Sequence, residues 1–117
     1  MNFLYCFDKN YNIQAYVSIF SLLENVNEKI NIYIIHKEPE KFKKYKKKLL
    51  KHEKLDELHI QKFVSVFKFP GLFEAHVSEA TYYRLFIEDY IPKNIEHLIY
   101  MDADTVVINQ VYKDIYD

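Results

Sequence analysis

The chain has 117 residues, 50% of them hydrophobic and 28% charged, a composition that excludes a disordered or collagen-like protein and suffices for one compact core. Sixteen basic and seventeen acidic side chains leave a formal net charge of -1, so no global field draws the chain to nucleic acid and any charged ligand must be held locally. A single cysteine, Cys6, rules out an internal disulfide and a cysteine-based zinc site, and its apolar neighbours suit a small buried side chain.

The first residues lack the charged flank and cleavage site of a signal peptide, and the uncharged stretch Asn10–Leu23 is too short and too polar to span a bilayer. A cytoplasmic setting is expected. Asn2–Phe7 is an apolar, aromatic run that stops at Asp8-Lys9-Asn10, the pattern of a buried strand. Ile13, Val17 and Phe20, with Ile19, Leu22 and Leu23, recur at three- and four-residue spacing, which predicts a helix over Tyr11–Asn25 with these residues on one broad apolar face. Ile30–Ile35 is β-branched and reads as a second strand, and Glu38-Pro39 opens a second helix with Phe42, Tyr45 and Leu49 as its apolar stripe.

Leu58–Val66 is expected as a third strand, Phe67–Glu74 as a loop, and Ser78 as the cap of a third helix running through Ile87. His97–Met101 is a further strand that meets Asp102-Ala103-Asp104. Thr105–Ile108 is again apolar and β-branched, and Val111–Tyr116 reads as the start of another helix. Strands alternating with helices imply an α/β domain over residues 1–117, Rossmann-like, with a mostly parallel sheet flanked by helices on both faces. In such sheets ligands bind beyond the carboxyl ends of the strands, where Asp8 and Asp102-Ala103-Asp104 fall.

Two carboxylates two residues apart at a strand end, between apolar runs, suit Mg²⁺ or Mn²⁺ bridging to phosphates, or else cap local amides in a turn. Arg84 is the one arginine beside fifteen lysines, and its planar guanidinium fits a diphosphate or a carboxylate, or a salt bridge to Glu88. Asp8-Lys9-Asn10-Tyr11 offers an acceptor, an amide and an aromatic face for a nucleobase and ribose, or an ordinary N-cap.

Phe7-Asp8-Lys9-Asn10-Tyr11, His76-Val77-Ser78-Glu79-Ala80-Thr81-Tyr82-Tyr83-Arg84-Leu85 and Leu98-Ile99-Tyr100-Met101-Asp102-Ala103-Asp104-Thr105-Val106-Val107, in this order and spacing, resemble glycosyltransferase family 8. That family includes glycogenin and the bacterial lipopolysaccharide galactosyl- and glucosyltransferases. The resemblance implies the amino-terminal, donor-binding half of a GT-A fold. It also implies hexose transfer, with retention, from a UDP-sugar to a glycan or lipid-linked saccharide. Asp102 and Asp104 match the DxD motif, around Ala103, that holds Mn²⁺ (or Mg²⁺) and through it the diphosphate; Arg84 matches a donor-contacting arginine. By the same match Asp8, Asn10 and Tyr11 bind the nucleotide, and His76 and Ser78 lie near the sugar cleft. Family catalytic domains are longer than this chain, so a missing carboxyl-terminal half or a second copy is an expected partner, and the residues of the catalytic centre are not assigned.

Two other readings share these residues. Asp102-Ala103-Asp104-Thr105-Val106 fits the first motif of haloacid-dehalogenase-like phosphatases, and a donor half without turnover would serve as a nucleotide-binding or interaction module. The lysines from Lys41 to Lys54 read first as a solvated face and second as a peripheral contact with anionic lipid.

Overall fold

The computed structural model describes residues 1–63 and 90–109. The end of the expected third strand, the loop at 67–74, the Ser78 helix with His76 and Arg84, and the segment Val111–Tyr116 lie outside the described residues. Four parallel strands, β1 (Asn2–Phe7), β2 (Ile30–His36), β3 (Leu55–Lys62) and β4 (Ile99–Met101), form one sheet in the order β3-β2-β1-β4. A 3₁₀ turn at Lys9–Tyr11 leads into helix α1 (Asn12–Asn25), and another at Pro39–Phe42 leads into helix α2 (Lys43–Leu49).

β1 and β2 are the runs that the sequence marks as apolar, and from Phe3 to Phe7 and from Ile32 to His36 every residue is buried, as strands covered on both faces require. Phe3, Tyr5 and Phe7 with Ile32 and Ile34 meet α1, Phe42 and Leu49 on one face. Leu4, Cys6, Tyr33 and Ile35 on the other are covered by Phe63, Tyr90, Ile91, Ile95, Leu98 and Tyr100. Both described helices lie on the first of these faces; the helix expected from Ser78 lies outside the described residues.

The strand boundaries move in two places. β3 begins three residues before the expected Leu58, because pairing with β2 starts at Ile30↔Leu55 across a register shift, and Lys54 O accepts from Ile30 N at 2.9 Å. As an edge strand it carries exposed Asp56, Glu57, His59, Gln61 and Lys62, charges that discourage further strand pairing and blur the alternation from which it was read. β4 is shorter than the expected His97–Met101, and Thr105–Ile108 forms no strand.

The larger correction concerns α1. Its buried residues are Asn12, Ala15, Ser18, Ile19, Leu22 and Leu23, while Ile13, Val17 and Phe20 are 63%, 45% and 41% exposed. The helix is turned about its axis so that small and polar residues meet the sheet. Ser18 Oγ shares a 3.0 Å hydrogen bond with Tyr5 Oη, which needs a short side chain at that position. Burial pushes the Tyr5 phenol up to about 12, an effect that the bond to Ser18 moderates, so the phenol is neutral throughout the physiological range.

Asn12 turns inward for a related reason. Its Nδ2 donates to Lys41 O at 3.1 Å, which leaves Oδ1, at 2.8 Å, facing Nε2 of the fully buried His36. Glu38 N donates to His36 Nδ1 at 2.8 Å. Because a backbone amide can only donate, the His36 proton sits on Nε2, and one neutral tautomer satisfies the whole chain of bonds. Phe7 and Phe42 pack around the ring, with centroids 4.9 and 6.1 Å away. The network ties the carboxyl ends of β1 and β2 to the first turn of α1.

Two measurements test this packing. Ile19→Ala is expected to lower stability to denaturant by about 2–5 kcal/mol, the cost of a cavity in the core. Ile13→Ser is expected to change it by no more than about 0.5 kcal/mol, as for an ordinary surface position. Equal losses would restore the broad apolar face read from the sequence. The second test is pH. Burial lowers the His36 pKa from 6.5, against the raising effect of Asp8, Glu38 and Glu40. The unfolded chain therefore binds this proton more readily, and the stability that His36 contributes is present above 6.5 and lost as pH falls through the lower folded value. Thermal midpoints should drop with acid in the native chain, and His36→Phe should flatten that part of the profile while costing about 1–3 kcal/mol for the acceptor left on Asn12.

Candidate functional site

The chain leaves β1 for β2 and then β3 on one side, and β4 returns to the other side of β1. The strand order thus reverses between β1 and β4, which is where an open parallel sheet offers a crevice beyond its carboxyl ends. Tyr5 pairs with Met101 in this ladder, so Asp8, just past β1, and Asp102, just past β4, leave the same end of two neighbouring strands. The structure thereby brings two of the sequence-predicted groups to the same end of adjacent strands. Arg84, His76 and Ser78 fall outside the described residues.

On the β1 side, Asp8 Oδ1 accepts from Asn10 N at 2.9 Å and Asp8 O accepts from Tyr11 N at 3.0 Å. Asp8 is therefore an N-cap, the plainer of its two readings, and a cap uses only one carboxylate oxygen. The tight turn presents Asn10 and the ring of Tyr11 to solvent. Lys9 Nζ lies 3.7 Å from Glu38 Oε1, an exposed pair that joins this turn to the one after β2.

On the β4 side, Thr105 N donates to Asp102 O at 3.1 Å and closes a turn around Ala103 and Asp104. Ala103 is half-buried against the main core, whereas Asp102 and Asp104 are exposed. A small central residue lets the turn settle onto the core while both flanking carboxylates remain in water. Neither carboxylate has a hydrogen bond or ion pair among the described residues.

After the turn the chain is clamped to α1. Ser21 Oγ accepts from Val107 N at 2.9 Å and donates to Ser18 O at 2.7 Å. Asn25 Nδ2 donates to Val107 O at 3.1 Å and to Ser21 O at 2.7 Å. The Asp102–Asp104 turn is therefore fixed by the β1 ladder before it and by Ser21 and Asn25 after it. Sequence reading missed this clamp and His36; Ser21 and Asn25, polar residues four apart on α1, were the available signal for the clamp.

Chemically, the β4 turn offers two solvent-open carboxylates with no partner among the described residues, an oxygen donor set suited to Mg²⁺ or Mn²⁺, ions that keep several waters and share phosphate oxygens. Among the described residues no group of three or more His, Cys, Asp and Glu could hold a metal, so a cation held by these two carboxylates would need water or phosphate oxygens to complete its shell. No helix of the described residues is long and apolar enough to cross a membrane.

A curated Haemophilus influenzae protein named "Putative glycosyltransferase" is 36% identical over 108 residues, which cover 91% of this chain and 32% of that protein. The chain thus spans about a third of the length of the curated relative that it matches. The family model described as "Glycosyl transferase family 8" matches residues 2–117, and with the relative it removes the phosphatase reading of Asp102 and Asp104. The chain belongs to glycosyltransferase family 8.

Proposed function

We propose that the chain binds the nucleotide-sugar donor of a hexosyl transfer, a UDP-sugar, in the crevice between β1 and β4. The observation that carries this reading is the placement of the Asp8–Tyr11 turn and the Asp102–Asp104 turn at the same end of adjacent parallel strands, where the strand order reverses. The second Asp8 oxygen, left by the cap, accepts from a base N–H. The Tyr11 ring stacks on the base, and Asn10 reaches the nucleotide.

Asp102 and Asp104 hold Mn²⁺ or Mg²⁺ together with the donor diphosphate. The cation, when bound, offsets the charge that develops on the departing nucleotide. Holding both carboxylates on one clamped turn lowers the reorganisation needed to meet the diphosphate. Arg84 adds a donor to the same anion, and His76 and Ser78 line the sugar side. Transfer proceeds with retention to a glycan or lipid-linked saccharide such as lipopolysaccharide, on the cytoplasmic side. A carboxyl-terminal half, or a second copy of the chain, supplies the acceptor site and the catalytic centre.

The test is the thermal unfolding midpoint of the full chain with UDP, with Mn²⁺ and with both. Only the combination should raise the midpoint, equivalent to about 2.7 kcal/mol when ligand is at a hundred times its dissociation constant. Asp102→Asn and Asp104→Asn should each remove the Mn²⁺-dependent part, and Tyr11→Ala should weaken UDP about tenfold through lost stacking. A midpoint unmoved by the combination in a chain that unfolds cooperatively would refute the donor site.

A further inference from the structure

The residues that the sequence marks as core and the structure places outside form a surface of their own. Ile13, Val17 and Phe20 stand at i, i+4 and i+7 along the outer face of α1, exposed to solvent. The side of this stripe nearest α2 is aromatic. The Tyr16 ring centroid lies 5.2 Å from that of Tyr45 and 6.2 Å from that of Phe20, and Phe20 meets His52 at 5.7 Å. Two ammonium groups sit over the same rings, Lys48 Nζ at 5.8 Å from the Tyr16 centroid and Lys44 Nζ at 5.0 Å from that of Tyr45. On its opposite flank α1 is polar, with Ser21 and Asn25 engaged by Val107, so the apolar stripe borders the lysine-rich helix.

The charge of this region is unlike that of the chain as a whole. Residues 41–54 hold eight of the sixteen basic side chains and one of the seventeen acidic ones. The net charge of -1 therefore conceals a strongly polarised molecule, basic along α2 and acidic elsewhere. A basic cluster alone is commonly a solvated helix, and an apolar stripe alone has no stated partner. Joined along one edge by tyrosine and phenylalanine rings, they have the composition of an interfacial surface: apolar residues that enter the acyl boundary, aromatic rings at headgroup level, and lysines whose stems cross that boundary to reach anionic headgroups.

We propose that the outer face of α1 together with α2 docks on an anionic phospholipid bilayer. A polynucleotide would use the lysines but leave Ile13 and Val17 in water, and an acidic protein partner is excluded when lipid alone suffices. The assignment stands without the nucleotide, so it fails or survives independently of the donor site.

The chain contains no tryptophan, so Val17→Trp gives the full chain a single reporter in the stripe. With vesicles of phosphatidylcholine containing about 30 mol% phosphatidylglycerol at low salt, its emission should shift to the blue; with phosphatidylcholine alone it should not. Gln61→Trp, on the exposed edge strand, should show no shift on the same vesicles. In co-sedimentation, Lys44→Gln/Lys48→Gln should bind about thirtyfold more weakly, at roughly one lysine's worth of surface attraction each. Ile13→Ser/Val17→Ser should bind at least about tenfold more weakly with an unchanged circular dichroism spectrum. No blue shift for Val17→Trp, equal binding to neutral vesicles, or unchanged binding of the folded serine variant would each overturn the proposal.

Discussion

From Phe3 to Phe7 no side chain reaches water, which is possible only when a strand has layers on both faces and partners on both edges. β1 therefore has to be central, and much of the described fold follows from that position. Parallel partners on either side make all the carboxyl ends coincide, and the return of β4 to the free edge of β1 puts the reversal of strand order between them. Asp8 and Asp102 are thus brought together by the burial requirement of a strand that contains neither of them. The exit from each strand is then held by its own device: Asp8 caps the turn after β1, and His36 bridges the end of β2 to α1 and its neighbouring turn.

The sequence was most legible where one physical rule dominated. Burial on both faces makes β1 and β2 continuous apolar runs, so their limits agree with expectation to within a residue. The residues proposed for the donor were singled out by motif, and the turn around Ala103 gives the motif a local reason: a small residue lies against the core between two acids that face water. The rotation of α1 was illegible because it depends on partners remote in sequence. Ser18 meets Tyr5, and Asn12 meets Lys41 and His36; without those partners an asparagine and a serine belong outside and Ile13 and Val17 inside. A hydrophobicity pattern prices buried polar atoms as though nothing satisfied them, and on α1 the buried Ser18 and Asn12 each have partners. β3 shifted for the reverse reason, since an edge strand with polar residues has weak alternation to read.

The same rotation explains why the two faces of α1 have separate consequences. Its inner face spends short side chains on close approach to β1, and Ser21 and Asn25 on its flank fix the chain after Asp104. This leaves Ile13, Val17 and Phe20, unlike Ile19, Leu22 and Leu23, with no sheet to meet. In a helix whose inner face is set by hydrogen bonds, outward apolar residues cost solubility unless something covers them, and the neighbouring tyrosines and lysines limit what that can be.

The geometry of α1 also relates the proposed lipid contact to the crevice. A helix returning between parallel strands begins near their carboxyl ends, so the first turn, with Ile13, follows directly on the Lys9–Tyr11 turn after β1. A helix seated at a lipid boundary lies along the surface rather than across it. With α1 so seated, the strands run roughly parallel to the bilayer and the crevice beyond their carboxyl ends opens sideways, beside the headgroups. That orientation suits an acceptor whose reactive sugar stands close to the membrane. It would serve a glycan extending far into solvent less well. The Asp102–Asp104 turn lies past β4, toward the Ser21 and Asn25 flank of α1, so the lysines of α2, across the aromatic seam between Tyr16 and Tyr45, would meet the lipid on the other flank.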